Sequence, residues 1–159
     1  MPLWRVFHPS NTTFQTPSSK ADLSAAITSL YTSFGLPAFY VIVLFIPIDP
    51  QDMFVGGVNQ SDGERRPFVR IVFENIARNV PEGQARLNFL DKVDKALYPH
   101  ILAKNYDLEY HGVETERSLW KINGMVAPPT GSEGEKMWIR EGRAVEWEGK
   151  DGEWPHGER

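Results

Sequence analysis

A chain of 159 residues is long enough for one domain with its own core, and 41% hydrophobic with 12% aromatic residues places it among globular chains. A formal net charge of −4 argues against a general nucleic-acid or membrane-surface binder, but leaves room for a local cationic pocket holding a small anion. Without cysteine there are no disulfides, no thiolate catalysis and no Cys-based zinc site, and the four histidines lack metal-ligand spacing. Neither a metal nor a cofactor is expected. The first ten residues lack the pattern of a secretory signal and the longest apolar run, residues 38–46, is too short to span a bilayer, so a cytoplasmic, non-membrane protein is expected.

Residues 3–8 are aromatic and β-branched and predict a strand starting just after Pro2. Thr16 and Pro17 predict the cap and first position of a helix carrying an apolar stripe at Leu23, Ile27, Leu30 and Phe34, stopped by Gly35 and Pro37. The unbroken apolar run 39–46 predicts a second strand buried on both faces. A long connection, 47–66, includes MFVGGV at 53–58, which reads as a small hairpin. The pattern then repeats. Residues 68–73 predict a third strand. Asn79, with Glu82 three positions on, predicts the start of a second helix with its stripe at Leu87, Leu90, Val93 and Leu97, and residues 106–113 predict a fourth strand after Pro99.

Two tandem β-α-β units therefore make an α/β (α+β) fold, a four-stranded mixed sheet with two helices on one face. Ile and Val on both parities of the strands suggest that a partner subunit covers the other face. Residues 115–123 predict a short helix closed by Gly124, and GSEGEK at 131–136 reads as a turn. The expected domain is 1–140, followed by an extension, 141–159, whose last dozen residues stay loose.

The Pro at position 2, the order of these elements and several strings resemble the tautomerase superfamily, in the branch of the cis-3-chloroacrylic acid dehalogenase-like proteins. The strings are PLWRVFHP, LPAFYVIVLF, FVGGV, FVRIVFENIAR and LWKINGMVAPPTGSEGEKMW. The resemblance implies a tautomerase/MIF-like homotrimer with Pro2 at the base of a pocket near a subunit boundary. It also implies cofactor-independent proton transfer. With Met1 removed, Pro2 would carry a secondary amine whose ordinary pKa of about 7.7–8.0 is brought towards neutrality or below by burial near cations.

Small carboxylate substrates require a forked cation. The resemblance places Arg78 in that role, with Arg70, inside the third strand, either a second contact or the ion-pair partner of Glu74. Dehalogenating relatives use a histidine, a tyrosine and a glutamate where this chain has Tyr31, His111 and Lys121-Ile122-Asn123. Tyr31, His111 and Asn123 remain candidates to hydrogen-bond substrate. Glu114 and Glu116 are possible replacements for the lost carboxylate, which hydrating an unactivated double bond would require. Tautomerisation of a small keto or enol carboxylate needs less, and is the expected activity. The alternatives are a hydratase, dehalogenase or decarboxylase on a small unsaturated acid, or a non-catalytic binding protein on the same fold.

Overall fold

The computed structural model describes residues 1–63, 65–76 and 78–147. Its centre is a four-stranded sheet built from β1 (Pro2–Pro9), β2 (Ile42–Ile48), β5 (Phe68–Ile76) and β6 (Asp107–Thr115), in the order β2-β1-β5-β6. β1 runs parallel to β2, β5 parallel to β6, and the central pair β1/β5 is antiparallel. This is the mixed sheet that the two β-α-β units require. Between β2 and β5 lies the expected hairpin, β3 (Phe54–Val55) and β4 (Val58–Asn59).

Strand periodicity decides which side chains meet the helices. Trp4, Val6 and His8 of β1 and Val69, Ile71, Phe73 and Asn75 of β5 are all buried on one face. Helices α1 (Pro17–Thr32) and α2 (Gln84–Leu97) cover that face through Leu23, Ile27, Leu30 and Tyr31 and through Phe89, Val93 and Leu97. Thr16 caps α1 as expected, its hydroxyl accepting the Ser19 N–H while the Ser19 hydroxyl accepts the N–H of Thr16. Phe73 stacks on Trp4 at 5.0 Å between ring centroids, and its ring also rests against Gly112, its neighbour on β6.

Several expectations need correction. The apolar run at 39–46 is not one strand: Ala38–Tyr40 forms a 3₁₀ turn, and β2 is an edge strand with Ile42 and Leu44 37% and 45% exposed in the single chain. α2 does not start from Asn79. The Val80 N–H donates to Glu114 Oε1 at 2.7 Å instead of entering a helix, and Gly83, at φ 71°, turns the chain into α2 four residues later. Leu87 is consequently 56% exposed and Phe89 takes the core position. The helix expected at 115–123 is a 3₁₀ turn at Arg117–Leu119, followed by the bridge of Ile122 to Met125. The segment read as a turn, GSEGEK, instead opens a third helix, α3 (Glu133–Glu141), capped by the Ser132 hydroxyl.

α3 contributes Trp138, fully buried, to the core, and Ala144, Val145 and Trp147 pack behind it. The expected loose end, 148–159, lies outside the described residues. No helix among the described residues is long and apolar enough to cross a membrane.

Candidate active site

β1 delivers its N-terminal end to a cavity of about 370 Å³ between the ends of the two central strands, α1 and α2. Pro2 pairs opposite Asn75, so the start of β1 and the end of β5 form the cavity floor. Met1 precedes it and crosses this floor. Its carbonyl accepts the Ile76 N–H at 3.0 Å and its amine donates to the Ile76 carbonyl. The pKa of that amine is lowered to about 5, first by burial and then by the Arg78 and Arg117 guanidinium groups, with Glu135 acting in the opposite direction.

The walls are largely apolar, from Phe34, Leu36, Ile76, Val80, Pro81, Ala85 and Phe89. The polar groups are few and placed: Tyr31, Asn75, Arg78, Asn79, Asn88 and Lys92. No carboxylate is among the described residues lining the cavity. Such a pocket, apolar with a few convergent cations and amides, suits a small organic anion.

Tyr31, on the last turn of α1, accepts a hydrogen bond from Trp4 Nε1 at 3.1 Å and donates to Asn75 Oδ1 at 2.9 Å. Burial pushes the phenol well above its ordinary pKa, so it stays neutral. With its oxygen engaged, Asn75 has its Nδ2 left as donor, and that amide has no hydrogen-bond partner among the described residues. Arg78 donates Nε to Thr130 Oγ1 at 3.0 Å, Nη1 to the Phe34 carbonyl at 3.5 Å and Nη2 to Glu135 Oε1 at 2.6 Å. Among the described residues three of its five N–H groups are thus engaged, which leaves two for a ligand. Lys92, on α2, holds its ammonium 4.4 Å from the centroid of the Phe34 ring at the cavity wall.

Of the residues singled out in the sequence, Pro2, Tyr31 and Arg78 line this one cavity. Arg70 and His111 lie on the opposite face of the sheet. Arg70 pairs with Glu109, its neighbour across β5/β6, at 2.6 Å and approaches His111 Nδ1 at 3.3 Å. Its expected ion pair with Glu74 does not form: four residues along a strand span about 13 Å, and Glu74 pairs with Arg5 at 2.6 Å. Asn123 sits at φ 51° beside Gly124 in the tight turn closed by Ile122 and Met125, away from the cavity. Glu114 is engaged by the Val80 N–H and Arg86, and Glu116 by Ser118.

Asn75, Lys92 and Glu135 were not singled out. Asn75 had a readable signal, being the polar residue that continues the buried alternation Val69, Ile71, Phe73. Lys92 had none, because α2 enters later than its capping pattern indicates; Glu135 stands three residues after Ser132, the S-x-x-E spacing of a helix start. No group of three or more His, Asp or Glu among the described residues is arranged to hold a metal ion.

The family model described as "putative oxalocrotonate tautomerase enzyme" matches residues 1–143, and the chain belongs to that family, within the tautomerase superfamily. Among solved structures, a "probable enzyme" from the thermophilic fungus Aspergillus fumigatus is 41% identical, with a TM-score of 0.83 over 92% of this chain and 98% of its own. Native RhCC from Rhodococcus jostii RHA1 is 37% identical, with a TM-score of 0.82 over 91% of this chain and 99% of its own. N1, a member of the cis-3-chloroacrylic acid dehalogenase family, shares the fold at 15% identity and a TM-score of 0.64, over 88% of this chain and 97% of its own. No curated protein matches the chain.

Proposed function

We propose that the chain is a cofactor-independent tautomerase that uses the secondary amine of Pro2, freed by removal of Met1, to move a proton on a small keto or enol carboxylate. One observation carries this reading: the amine of Met1, next to Pro2, is buried within the field of Arg78 and Arg117, beside a cavity that offers cations and amides but no lining carboxylate among the described residues.

In that form the space now held by Met1 becomes free, and the N–H and carbonyl of Ile76 that engage it open towards Pro2. The substrate carboxylate lies against the two remaining donors of Arg78, with Lys92 as the second cation. The unprotonated ring nitrogen takes a proton from the carbon next to the carbonyl, and the electron pair moves onto the carbonyl oxygen. Asn75 Nδ2 and the Ile76 N–H stabilise that developing oxyanion. Returning the proton to oxygen gives the enol; the reverse sequence ketonises it. Hydration or dehalogenation is the weaker reading, because it needs a carboxylate to deprotonate water, and Glu114 and Glu135 already accept hydrogen bonds from other groups.

We also propose a homotrimer, supported by the exposed aliphatic strip of Ile42 and Leu44 on the outer sheet face. Arg70 and His111 share that face, and in such an assembly they reach a substrate only where a neighbouring copy brings its cavity to them.

The test begins with intact mass, to establish that Met1 is absent, followed by labelling with 3-bromopropiolate and mapping of the adduct. Labelling at Pro2, with loss of phenylenolpyruvate ketonisation in a Pro2→Ala variant, is the expected result. A retained Met1, or a Pro2→Ala variant as fast as the parent, would refute it.

A further inference from the structure

Beside the amine end of the chain, and adjoining the cavity at Arg78, lies a second group of side chains, of which the proton-transfer scheme uses only Arg78. Tyr40, Arg78, Arg117 and Glu135 surround a void of about 10 Å³ beside Met1. They come from four places in the chain: the 3₁₀ turn before β2, the segment just past β5, the turn after β6, and α3. Glu135 is only 4% exposed. Its Oε1 accepts Arg78 Nη2 at 2.6 Å and its Oε2 accepts the Gly131 N–H at 2.8 Å.

The carboxylate is fixed from behind as well. Ser132 caps α3 through the N–H of Glu135 at 3.2 Å, and α3 is locked by Trp138, whose Nε1 donates to the Val145 carbonyl at 2.7 Å. A carboxylate taken this far out of water persists only because it is paired and hydrogen-bonded. Its pairing has two consequences. Arg78 is held at three acceptors, Glu135, Thr130 and the Phe34 carbonyl, which fixes the plane of its guanidinium and the direction of its two remaining N–H groups. One negative charge also stands against two guanidinium groups, so the amine faces a net charge near +1 rather than +2.

We infer that Glu135 is a positioning residue of the candidate site: its carboxylate aims Arg78 at the cavity and offsets the positive charge that Arg78 and Arg117 place on the N-terminal amine. This rests on the Pro2 reading above and adds the residue that sets how basic that amine is. The other titratable groups facing the amine leave the role to Glu135. Tyr31 from α1 and Tyr40 are both held neutral by burial, and Lys92 from α2 is a further cation on the cavity wall. Removing the carboxylate strengthens the cationic field and must make the amine a weaker base; removing Arg117 must do the reverse.

The experiment follows the amine directly. Processed protein carrying ¹⁵N-proline is titrated by NMR, and the Pro2 nitrogen of wild type, Glu135→Gln, Glu135→Asp and Arg117→Gln is compared. The expected result is a downward shift of about half a unit or more in Glu135→Gln, recovery in Glu135→Asp, and an upward shift in Arg117→Gln. In parallel, KM for phenylenolpyruvate rises severalfold in Glu135→Gln as Arg78 loses its hold. If Glu135→Gln does not fold, Glu135→Ala, which removes the carboxylate without burying an amide, takes its place with the same expected shift. A depressed wild-type value that neither variant moves by more than about 0.2 unit would overturn this inference and leave the Pro2 reading standing. A wild-type amine titrating at its ordinary value of about 7.7–8.0, or one capped by Met1, would overturn both.

Discussion

Replacing Tyr31 by phenylalanine removes one oxygen atom from the layer between α1 and the sheet, and with it both hydrogen bonds of the Trp4–Tyr31–Asn75 chain. Trp4 is fully buried, so its Nε1–H has no route to water. Asn75 borders the cavity, and a water entering there replaces the lost bond to Oδ1. The main penalty is therefore the orphaned indole N–H, about 1–3 kcal/mol for a buried donor left unpaired. For a domain of this size that lowers Tm by roughly 2–4 °C per kcal/mol. Urea unfolding at fixed protomer concentration measures it, since subunit association would otherwise shift the apparent stability. The double variant Trp4→Phe/Tyr31→Phe closes the cycle: with the donor gone, the second change should cost about 1 kcal/mol less than it does alone. A Tyr31→Phe variant within about 0.5 kcal/mol of the parent, or a cycle with no coupling, would refute the claim that this phenol is held for its hydrogen bonds.

Two further outcomes are expected. Gly112→Ala places a Cβ 2.4 Å from the Phe73 ring, whose neighbours Trp4 and Phe89 leave it little room, so the variant should lose about 1–3 kcal/mol in thermal or urea unfolding; unchanged stability would mean the ring moves freely. His8 is buried with Nδ1 bonded to Thr13 and no partner for Nε2 among the described residues, and burial, then the nearby Lys20, holds its pKa below 6.5. Between that depressed value and 6.5 the unfolded chain binds the extra proton, so native stability is full above about pH 6.5 and falls as pH drops through this window. Urea midpoints measured from pH 7.5 down to 5 should show that limb and lose it in His8→Asn; identical pH profiles would exclude His8 as its source.

The sequence by itself determined the scaffold. The strand-forming runs at 3–8 and 68–73, a capped helix after Thr16 and an apolar stripe between residues 87 and 97 are local signals. Only one mixed sheet with two helices over one face buries them together. The likeness of the opening residues to a known family pointed to Pro2 for the same local reason, since a strand that begins at residue 2 fixes where its first nitrogen lies.

Only the tertiary structure decided what surrounds that nitrogen. The Asn79 capping pattern failed because Glu114, 34 residues away on β6, takes the Val80 N–H. Arg70 and Arg78 look alike as arginines at a strand and its end, yet pleat and register send one to Glu109 on the outer face and the other to Glu135 at the amine. The S-x-x-E spacing of Ser132 and Glu135 marks a helix start but not the burial of that carboxylate. Its burial comes from the pairing with Arg78 and from Trp138 entering the core, contacts between segments that no spacing along the chain encodes. Periodicity reports which face of an element is apolar; the charge around a buried amine is a sum over elements distant in sequence, and exists only once they are packed.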